Sequence, residues 1–304
     1  MNEPSSPDLS GKTIGIVGIG LMGAPMAKQL RAHGAALRVW NRSTRKADAL
    51  AREIDGVTVC ASPRAVAEGA SATIVMVTDA NAVEAVVFEQ DSGVAGGLAQ
   101  DGLLIDMGTT SVLRTRGFAD RLRAGGGEWV DAPVSGGTVA AEAGTLTIMA
   151  GGSDTAFFRA RPYFEAMGER ITHVGAIGAG QIAKSANQMI VGLTIGAVAE
   201  AFALARHTGV EPAKIREALF GGFAHSRILE LHGERMVDRD YAPRAKCSIQ
   251  RKDVFEAVQL AESVDLDLPG LKANLKLWDH MIDNGMADLD HSALLLAIDP
   301  DSGK

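Results

Sequence analysis

The stretch Thr13-Ile-Gly-Ile-Val-Gly-Ile-Gly-Leu-Met-Gly23 decides the fold of the first half of the chain. A short apolar run ends in three glycines at the spacing Gly-x-Gly-x-x-Gly, and residues 23–33 continue with helical spacing. Such glycines permit a tight turn and close approach of the backbone to a pyrophosphate, and the N–H groups at the helix start suit phosphate. We therefore predict a dinucleotide site, with a glycine turn needed only for packing as the alternative. The predicted cofactor contacts are Gly18, Ile19, Gly20, Leu21, Met22 and Gly23.

Short apolar runs and helical segments alternate through the first half of the chain. This alternation predicts parallel strands with helices on both faces, an α/β fold with a Rossmann-type doubly wound sheet. We expect this domain over residues 11–172, after a disordered tail over 1–10. The predicted strands are 12–17, 37–40, 57–60, 73–77, 103–107, 128–131, 146–150 and 172–174.

Strand signals nearly vanish after residue 172. Residues 181–207 read as one long helix, apolar almost all round, which must be buried between domains or between subunits. We therefore predict an interdomain helix segment over 173–207 and an all-α substrate and dimerisation domain over 208–304, and at least a homodimer. One further predicted helix begins at Pro212, and the others cover 223–237, 248–264, 269–285 and 291–298.

Composition excludes several classes of function. The formal charge of −7 gives no electrostatic footprint for nucleic acid or an anionic membrane. The two cysteines are far apart in the sequence, and the N-terminus lacks the pattern of a signal peptide, so we expect a cytoplasmic protein. The histidines lack metal-ligand spacing, which predicts no metal site. The run Met189–Ala205 falls short of the roughly 20 residues of a membrane span, so a buried helix is expected.

The residues after the second predicted strand bear on the choice of cofactor. An NAD enzyme usually carries Asp or Glu here for the ribose hydroxyls, whereas this chain has Asn41, Arg42 and Ser43. A guanidinium and hydroxyls suit a 2′-phosphate. We therefore predict NADP, with NAD as the alternative cofactor and ordinary solvated charges as the alternative role of the arginine.

The loop Asp131-Ala-Pro-Val-Ser-Gly-Gly137 follows a predicted strand. Gly136 and Gly137 can expose consecutive N–H groups to an anion, and Ser135 adds a hydroxyl donor. A carboxylate is the natural guest of such a loop, and a plain turn is the alternative.

Lys184 lies on the long apolar helix, three residues before Asn187 and on the same helix face. Carbonyl reduction needs a hydride on carbon and a proton on oxygen, and an ammonium beside the oxygen can polarise it and then donate the proton. The amide of Asn187 can position the lysine or the oxygen. A purely structural lysine is the alternative.

Four motifs in this order resemble the β-hydroxyacid dehydrogenase family, which includes 3-hydroxyisobutyrate dehydrogenases and tartronate semialdehyde reductases. The resemblance covers roughly residues 12–298. It rests on Ile16–Met26, Asp131–Gly137, Gly175–Gln188, and Lys252-Asp253 together with Leu289–Leu294.

The resemblance implies an NADP(H)-preferring oxidoreductase that interconverts a small β-hydroxy acid and its semialdehyde, as a homodimer or homotetramer. It implies that Lys184 is the catalytic proton donor and that Asn187 orients the substrate, whose carboxylate lies on Ser135, Gly136 and Gly137. It implies cofactor contacts from Val77, Thr78, Thr109 and Lys252.

Some positions depart from the family pattern and leave the substrate open. Asn187-Gln188 replaces a common Asn-Asn, as in the tartronate semialdehyde reductase branch, and Gly108 replaces a common serine. Val77-Thr78 replaces a common Leu-Pro. Phe223 lies in a segment that resembles one closing over the substrate; it would then set the size of the pocket, or else it belongs to the core.

Two other functions stay open. One is an imine or ketone reductase of the same fold, although those relatives usually replace the lysine by Asp or Tyr. The other is a non-catalytic NADP-binding interaction protein.

Overall fold

The computed structural model describes residues 7–303, and the chain divides into two compact units with their boundary between Lys184 and Ser185. The first unit holds a mixed sheet of nine strands flanked by helices. The strands are β1 Thr13–Val17, β2 Ala36–Trp40, β3 Val57–Val59, β4 Ala72–Val75, β5 Leu103–Asp106, β6 Glu128–Asp131, β7 Val134–Ser135, β8 Leu146–Gly151 and β9 Gly168–Gly175. The helices are α1 Gly23–Ala32, α2 Thr44–Glu53, α3 Pro63–Ala67, α4 Ala80–Phe88, α5 Val112–Ala124, α6 Gly137–Ala143 and α7 Asp154–Met167, with a short 3₁₀ helix at Val94–Gly96.

Six strands are parallel in the order β3-β2-β1-β4-β5-β6. The order of the strands reverses between β1 and β4, which is the position where doubly wound sheets bind their ligands. The predicted Rossmann-type sheet is therefore confirmed.

The far side of the sheet differs from the all-parallel expectation. β8 runs antiparallel to β6 and β7 and parallel to β9. The two-residue strand β7 was not predicted, because Pro133 interrupts the strand pattern only two residues after β6 ends. The connection from β7 to β8, residues 136–145, contains α6 but is shorter than the dozen or more residues that a parallel crossover needs, so the two strands pair antiparallel.

Both faces of the sheet are covered. The side chains of β4 and β5 are buried along the whole length of each strand. Leu103 and Ile105 pack into one apolar cluster and Leu104 into the other, with Phe118 and Trp129. Alternate residues of one strand thus enter two cores, as expected for a parallel sheet between two helix layers.

The limits of the first domain differ from the prediction at both ends. Residues 1–6 of the expected tail lie outside the described residues, but Leu9 is buried in the core and its N–H donates to His33 O (2.8 Å). Residues 173–175 complete β9 rather than opening the long helix. A single leucine anchor leaves no periodic signal in the sequence, and the limit at residue 172 cut through a strand that was itself predicted at 172–174.

The second unit is helical. The long helix α8, Ala179–His207, crosses the boundary between the units. The predicted helix 223–237 begins later, at Arg227, because Ser226 caps it by accepting from the Leu229 N–H. The other helices are α9 Pro212–Leu219, α10 Arg227–Asp238, α11 Cys247–Glu262, α12 Pro269–Asp283 and α13 Leu295–Ile298, with 3₁₀ helices at His291–Leu294 and Pro300–Gly303.

Within residues 7–303, helix α8 alone is long and apolar enough to cross a membrane by length and composition. Half of its most apolar window is buried inside the protein, and the core helix of a soluble protein passes the same criterion. The finding is weak evidence for a span, and the expectation of no membrane contact stays a prediction.

Candidate cofactor and catalytic sites

The three glycines of the fingerprint loop have different surroundings. A Cβ at Gly18, whose φ is +107°, would lie 2.2 Å from Met76 O, and a Cβ at Gly23 would lie 1.9 Å from Gly18 O. A Cβ at Gly20 would meet nothing within 4 Å. The fold itself therefore requires Gly18 and Gly23, whereas Gly20 borders open space where the backbone can be approached by a ligand.

The start of α1 suits a phosphate. Its N-cap residue, Met22, makes no side-chain capping hydrogen bond, and the first turn carries no acidic residue. The Ala24 N–H already donates to Gly20 O (3.1 Å) and Pro25 has no N–H, so the helix end offers an anion chiefly its positive dipole. Of the other predicted loop contacts, Ile19 is buried and Leu21 is 77% exposed. The residues present fit a dinucleotide pyrophosphate.

Asn41 does more than replace an acidic residue. Its Oδ1 accepts from the Ile19 N–H (2.9 Å), and its Nδ2 donates to Ser43 O (3.0 Å). Asn41 thus ties the fingerprint loop to the turn after β2. Arg42 and Ser43 are exposed at that turn, so a guanidinium and a hydroxyl are open to solvent there.

The loops after β1, β4 and β5 lie in a row at the carboxyl edge of the sheet. Gly18 approaches Met76, and a Cβ at Gly108 would lie 2.7 Å from Val77 O. Val77 and Thr109 are half-buried. Thr78 is exposed, and its hydroxyl donates to Asp79 Oδ2 (2.8 Å). The structure therefore brings the predicted cofactor contacts of the first unit to one edge.

The predicted carboxylate loop follows β7 at the end of the sheet. Gly136 and Gly137 both have positive φ, +128° and +66°, and both are exposed. Ser135 is half-buried and is paired with Thr147 of β8. Because L side chains rarely adopt such φ values, the glycines are required for a turn that leaves consecutive N–H groups near the surface.

Asp131 is a functional candidate that sequence reasoning treated only as the start of this loop. It is fully buried, with Oδ1 accepting from the Gly178 N–H (2.7 Å) and Oδ2 from the Gln181 N–H (2.9 Å). Burial raises the pKa of the Asp131 carboxyl group to about 6, against the opposing effect of these N–H groups. Asp131 therefore anchors the N-terminus of α8 on the end of β6.

Gln181 connects the same helix to the loop after β5, and sequence reasoning missed it. Its Nε2 donates to Gly108 O (2.8 Å), and its Oε1 accepts from the Thr110 N–H (3.0 Å). Asp106 supports this loop by accepting from the Gly108 N–H (3.1 Å) and the Thr110 hydroxyl (3.3 Å). In the sequence Gln181 is only one of several polar residues in the first turns of α8, so nothing there distinguishes it.

Lys184 lies one turn after Gln181 on α8 and is 8% exposed. A Cβ at Gly180 would lie 2.4 Å from Met149 O and 2.6 Å from Asp131 O, so the helix start packs its backbone directly on the sheet. The lysine is thus held on a rigid turn at the edge that carries the cofactor loops.

In the second unit, two hydrogen bonds and an ion pair connect Asn187 and Lys252. Asn187 Nδ2 donates to Gln188 Oε1 (2.8 Å), and Gln188 Nε2 donates to Asp253 Oδ2 (2.6 Å). Lys252 Nζ lies 3.0 Å from Asp253 Oδ1. Gln188 therefore has a defined structural role, which the departure from Asn-Asn alone did not reveal.

Phe223 lies in the turn between α9 and α10 and is fully exposed. The interpretation of Phe223 as a core residue is therefore wrong, and its contact with substrate stays a prediction. The part of the chain that the structure describes holds no group of three or more His, Cys, Asp or Glu side chains that could bind a metal ion.

The fold and this row of loops define a nicotinamide-dependent oxidoreductase, and the comparisons agree. The family described as the NAD binding domain of 6-phosphogluconate dehydrogenase matches residues 13–175. The family described as NAD-binding of NADP-dependent 3-hydroxyisobutyrate dehydrogenase matches residues 178–298. The chain belongs to the β-hydroxyacid dehydrogenase family, as its motifs predicted.

Individual relatives are similar over nearly their whole length. The chain is 40% identical over 286 residues to the 2-hydroxy-3-oxopropionate reductase of Escherichia coli (strain K12), covering 94% of this chain and 97% of the relative. It is 32% identical to the NAD-dependent L-serine dehydrogenase of Pseudomonas aeruginosa, covering 96% of this chain and 100% of the relative. The structure of Mycobacterium tuberculosis 3-hydroxyisobutyrate dehydrogenase with L-serine superposes with a TM-score of 0.86 at 28% identity, covering 95% and 99% of the two chains. The protein is an NAD(P)-dependent enzyme that acts on hydroxy acids.

Proposed function

We propose that the protein is an NADP(H)-preferring reductase that interconverts a small β-hydroxy acid and its semialdehyde, with tartronate semialdehyde as the first substrate to test. The observation that carries the proposal is the buried Lys184 on a helix turn bonded to the loop that holds Thr109. The similarity to a 2-hydroxy-3-oxopropionate reductase supports the choice of substrate, because 2-hydroxy-3-oxopropionate is another name for tartronate semialdehyde.

In the proposed reaction the chain binds the substrate and handles the proton. The Ser135 hydroxyl and the N–H groups of Gly136 and Gly137 hold the carboxylate. Lys184 polarises the carbonyl oxygen and donates a proton to it, while the Asn187 amide orients the reacting group. The nicotinamide, when bound, supplies the hydride. In the oxidising direction Lys184 accepts the proton.

The preference for NADP rests on the turn after β2. The exposed Arg42 and Ser43 offer charge-assisted and neutral hydrogen bonds to a 2′-phosphate, and the carboxylate that would bind the ribose hydroxyls of NAD is replaced by Asn41. Asn41 is already bonded to Ile19 and Ser43, so Arg42 carries most of the expected discrimination.

We also propose a homodimer or a pair of dimers located in the cytoplasm. The part of α8 in the second unit leaves Ile190, Leu193 and Leu204 exposed in the single chain. Large apolar side chains on a long helix favour burial against another subunit. Light scattering should give at least the dimer mass, and a stable monomer at micromolar concentration would overturn this part of the proposal.

The experiment that tests the function is a set of initial rates of NADPH and NADH oxidation with tartronate semialdehyde, glyoxylate, succinic semialdehyde and methylmalonate semialdehyde. A cyclic imine serves as the control substrate. We expect a clear rate with at least one carboxylated aldehyde, faster with NADPH. Turnover of the imine alone would indicate an imine reductase, and tight NADPH binding without any turnover would indicate a non-catalytic protein.

A further inference from the structure

The Gln181 side chain connects two parts of the first unit that the proposed reaction needs in a fixed relation. It is fully buried, and its one amide group bonds to Gly108 and Thr110, the two residues that flank Thr109. Its backbone N–H meanwhile donates to the carboxylate of Asp131. One residue thus holds the start of α8 on both β6 and the loop after β5.

Packing alone does not require an amide at this position. A buried amide has to satisfy both its donor and its acceptor, and an apolar side chain of similar volume would fill the same space without that requirement. Two hydrogen bonds of opposite direction to one loop fix its distance and its orientation. The pairing therefore specifies geometry more than it adds stability.

We propose that Gln181 is a positioning residue that fixes Lys184 relative to the loop 108–110, with Asp131 anchoring the same helix turn. Lys184 follows Gln181 by three residues on a continuous helix, so a shift or rotation at Gln181 moves the lysine with it. A displacement of about 1 Å from the reacting atoms can reduce a rate about 100-fold. This inference rests on the proposed function, since it needs Lys184 as proton donor and Thr109 beside the nicotinamide.

The first test compares Gln181→Met with Thr115→Val in the full-length protein. Gln181→Met keeps the volume and removes both hydrogen bonds. Thr115→Val is the matched control, because its hydroxyl bonds to Thr110 Oγ1 (3.1 Å) in the same buried network but lies on α5 and not on α8. The readouts are kcat, KM for the aldehyde, the Kd of NADPH, and the isotope effect with NADPH deuterated at the transferred position.

For Gln181→Met we expect kcat to fall at least tenfold, with the Kd of NADPH changed less than threefold and a larger isotope effect on kcat. Thr115→Val should keep kcat within about twofold. The inference is overturned if Gln181→Met keeps kcat within twofold, or if both variants lose kcat equally.

A second variant, Gln181→Glu, tests whether protonation of the new carboxyl group restores the lost hydrogen bond and with it kcat. In Gln181→Glu the ionised carboxylate can accept from the Thr110 N–H but cannot donate to Gly108 O. The protonated carboxyl group can do both, and burial favours that form. The kcat of Gln181→Glu, divided by the wild-type kcat at each pH, should therefore rise as the pH is lowered from 8 to 5.5.

This pH series decides the question even if Gln181→Met does not fold. A ratio for Gln181→Glu that stays flat and far below one would show that the hydrogen bond to Gly108 does not control the chemical step. Failure of the proposed function is recognised separately, because the wild-type protein would then turn over none of the carboxylated aldehydes.

Discussion

Replacing Gly20 by alanine separates cofactor binding from folding. A Cβ at Gly20 would meet nothing within 4 Å, and Gly20 does not have a positive φ. Alanine at such a position leaves the free energy of unfolding unchanged or raises it by about 0.4–1 kcal/mol, because it restricts the unfolded chain. The folded protein should therefore tolerate Gly20→Ala.

The bound cofactor should not tolerate the same methyl group. If the open space beside Gly20 is where the pyrophosphate lies, the added carbon displaces a phosphate and weakens at least one charge-assisted hydrogen bond. Such a bond contributes about 1.5–3 kcal/mol, so the Kd of NADPH should rise roughly 10- to 100-fold. Gly20→Ala should therefore leave the fold as stable as before or slightly more stable, while it weakens the binding of NADPH.

The assay pairs urea denaturation with fluorescence titration of NADPH. Gly117→Ala is the matched control, since a Cβ at Gly117 inside α5 also meets nothing within 4 Å. It should stabilise the fold without changing the Kd. Gly23→Ala is the opposite control, because its Cβ would lie 1.9 Å from a backbone oxygen and should destabilise the fold. An unchanged Kd for Gly20→Ala, or its unfolding, would refute the assignment of this space to the cofactor.

Three further predictions concern the other parts of the site. Lys184→Ala should lower kcat roughly 10²- to 10⁴-fold with the Kd of NADPH nearly unchanged, as measured by steady-state kinetics and fluorescence titration. A variant that retains most of the wild-type kcat would contradict the role of Lys184 as proton donor. Arg42→Ala should lower the ratio of kcat/KM for NADPH over NADH about 10- to 100-fold, whereas an unchanged ratio would place the 2′-phosphate elsewhere. The raised pKa of Asp131 means that its contribution to stability is present below the pKa of the unfolded chain and is lost as the pH rises through about 6. The unfolding free energy of the wild type minus that of Asp131→Asn should therefore fall by up to about 3 kcal/mol from pH 4 to pH 7, and a difference that does not vary with pH in denaturant titrations would contradict this.

Local patterns in the sequence predicted the parallel sheet and the place of the cofactor. The apolar runs that became β1, β4 and β5 are buried, and a strand buried on both faces is apolar along most of its length. Gly18 and Gly23 occupy a tight loop whose spacing follows from the path of the backbone. Such features lie within a few neighbouring residues, so they can be recognised without knowing the rest of the fold.

Other features were settled only by contacts between distant segments. β8 pairs antiparallel with β7, Leu9 is buried in the core, and Phe223 is exposed. Nothing in the residues around each of these positions distinguishes the observed outcome from its alternative. Each of these outcomes depends on contacts with segments that lie far away in the sequence.

The sequence by itself determined the family, the dinucleotide fingerprint and the lysine that we propose as proton donor, because each is carried by residues adjacent in the chain. Only the tertiary structure revealed how the lysine helix is held. Asp131 bonds to Gln181 across 50 residues, and Gln181 bonds to Thr110 across 71. Hydrogen bonds over such separations leave no periodic signal in the sequence, since they depend on where the strands β5 and β6 place their carboxyl ends.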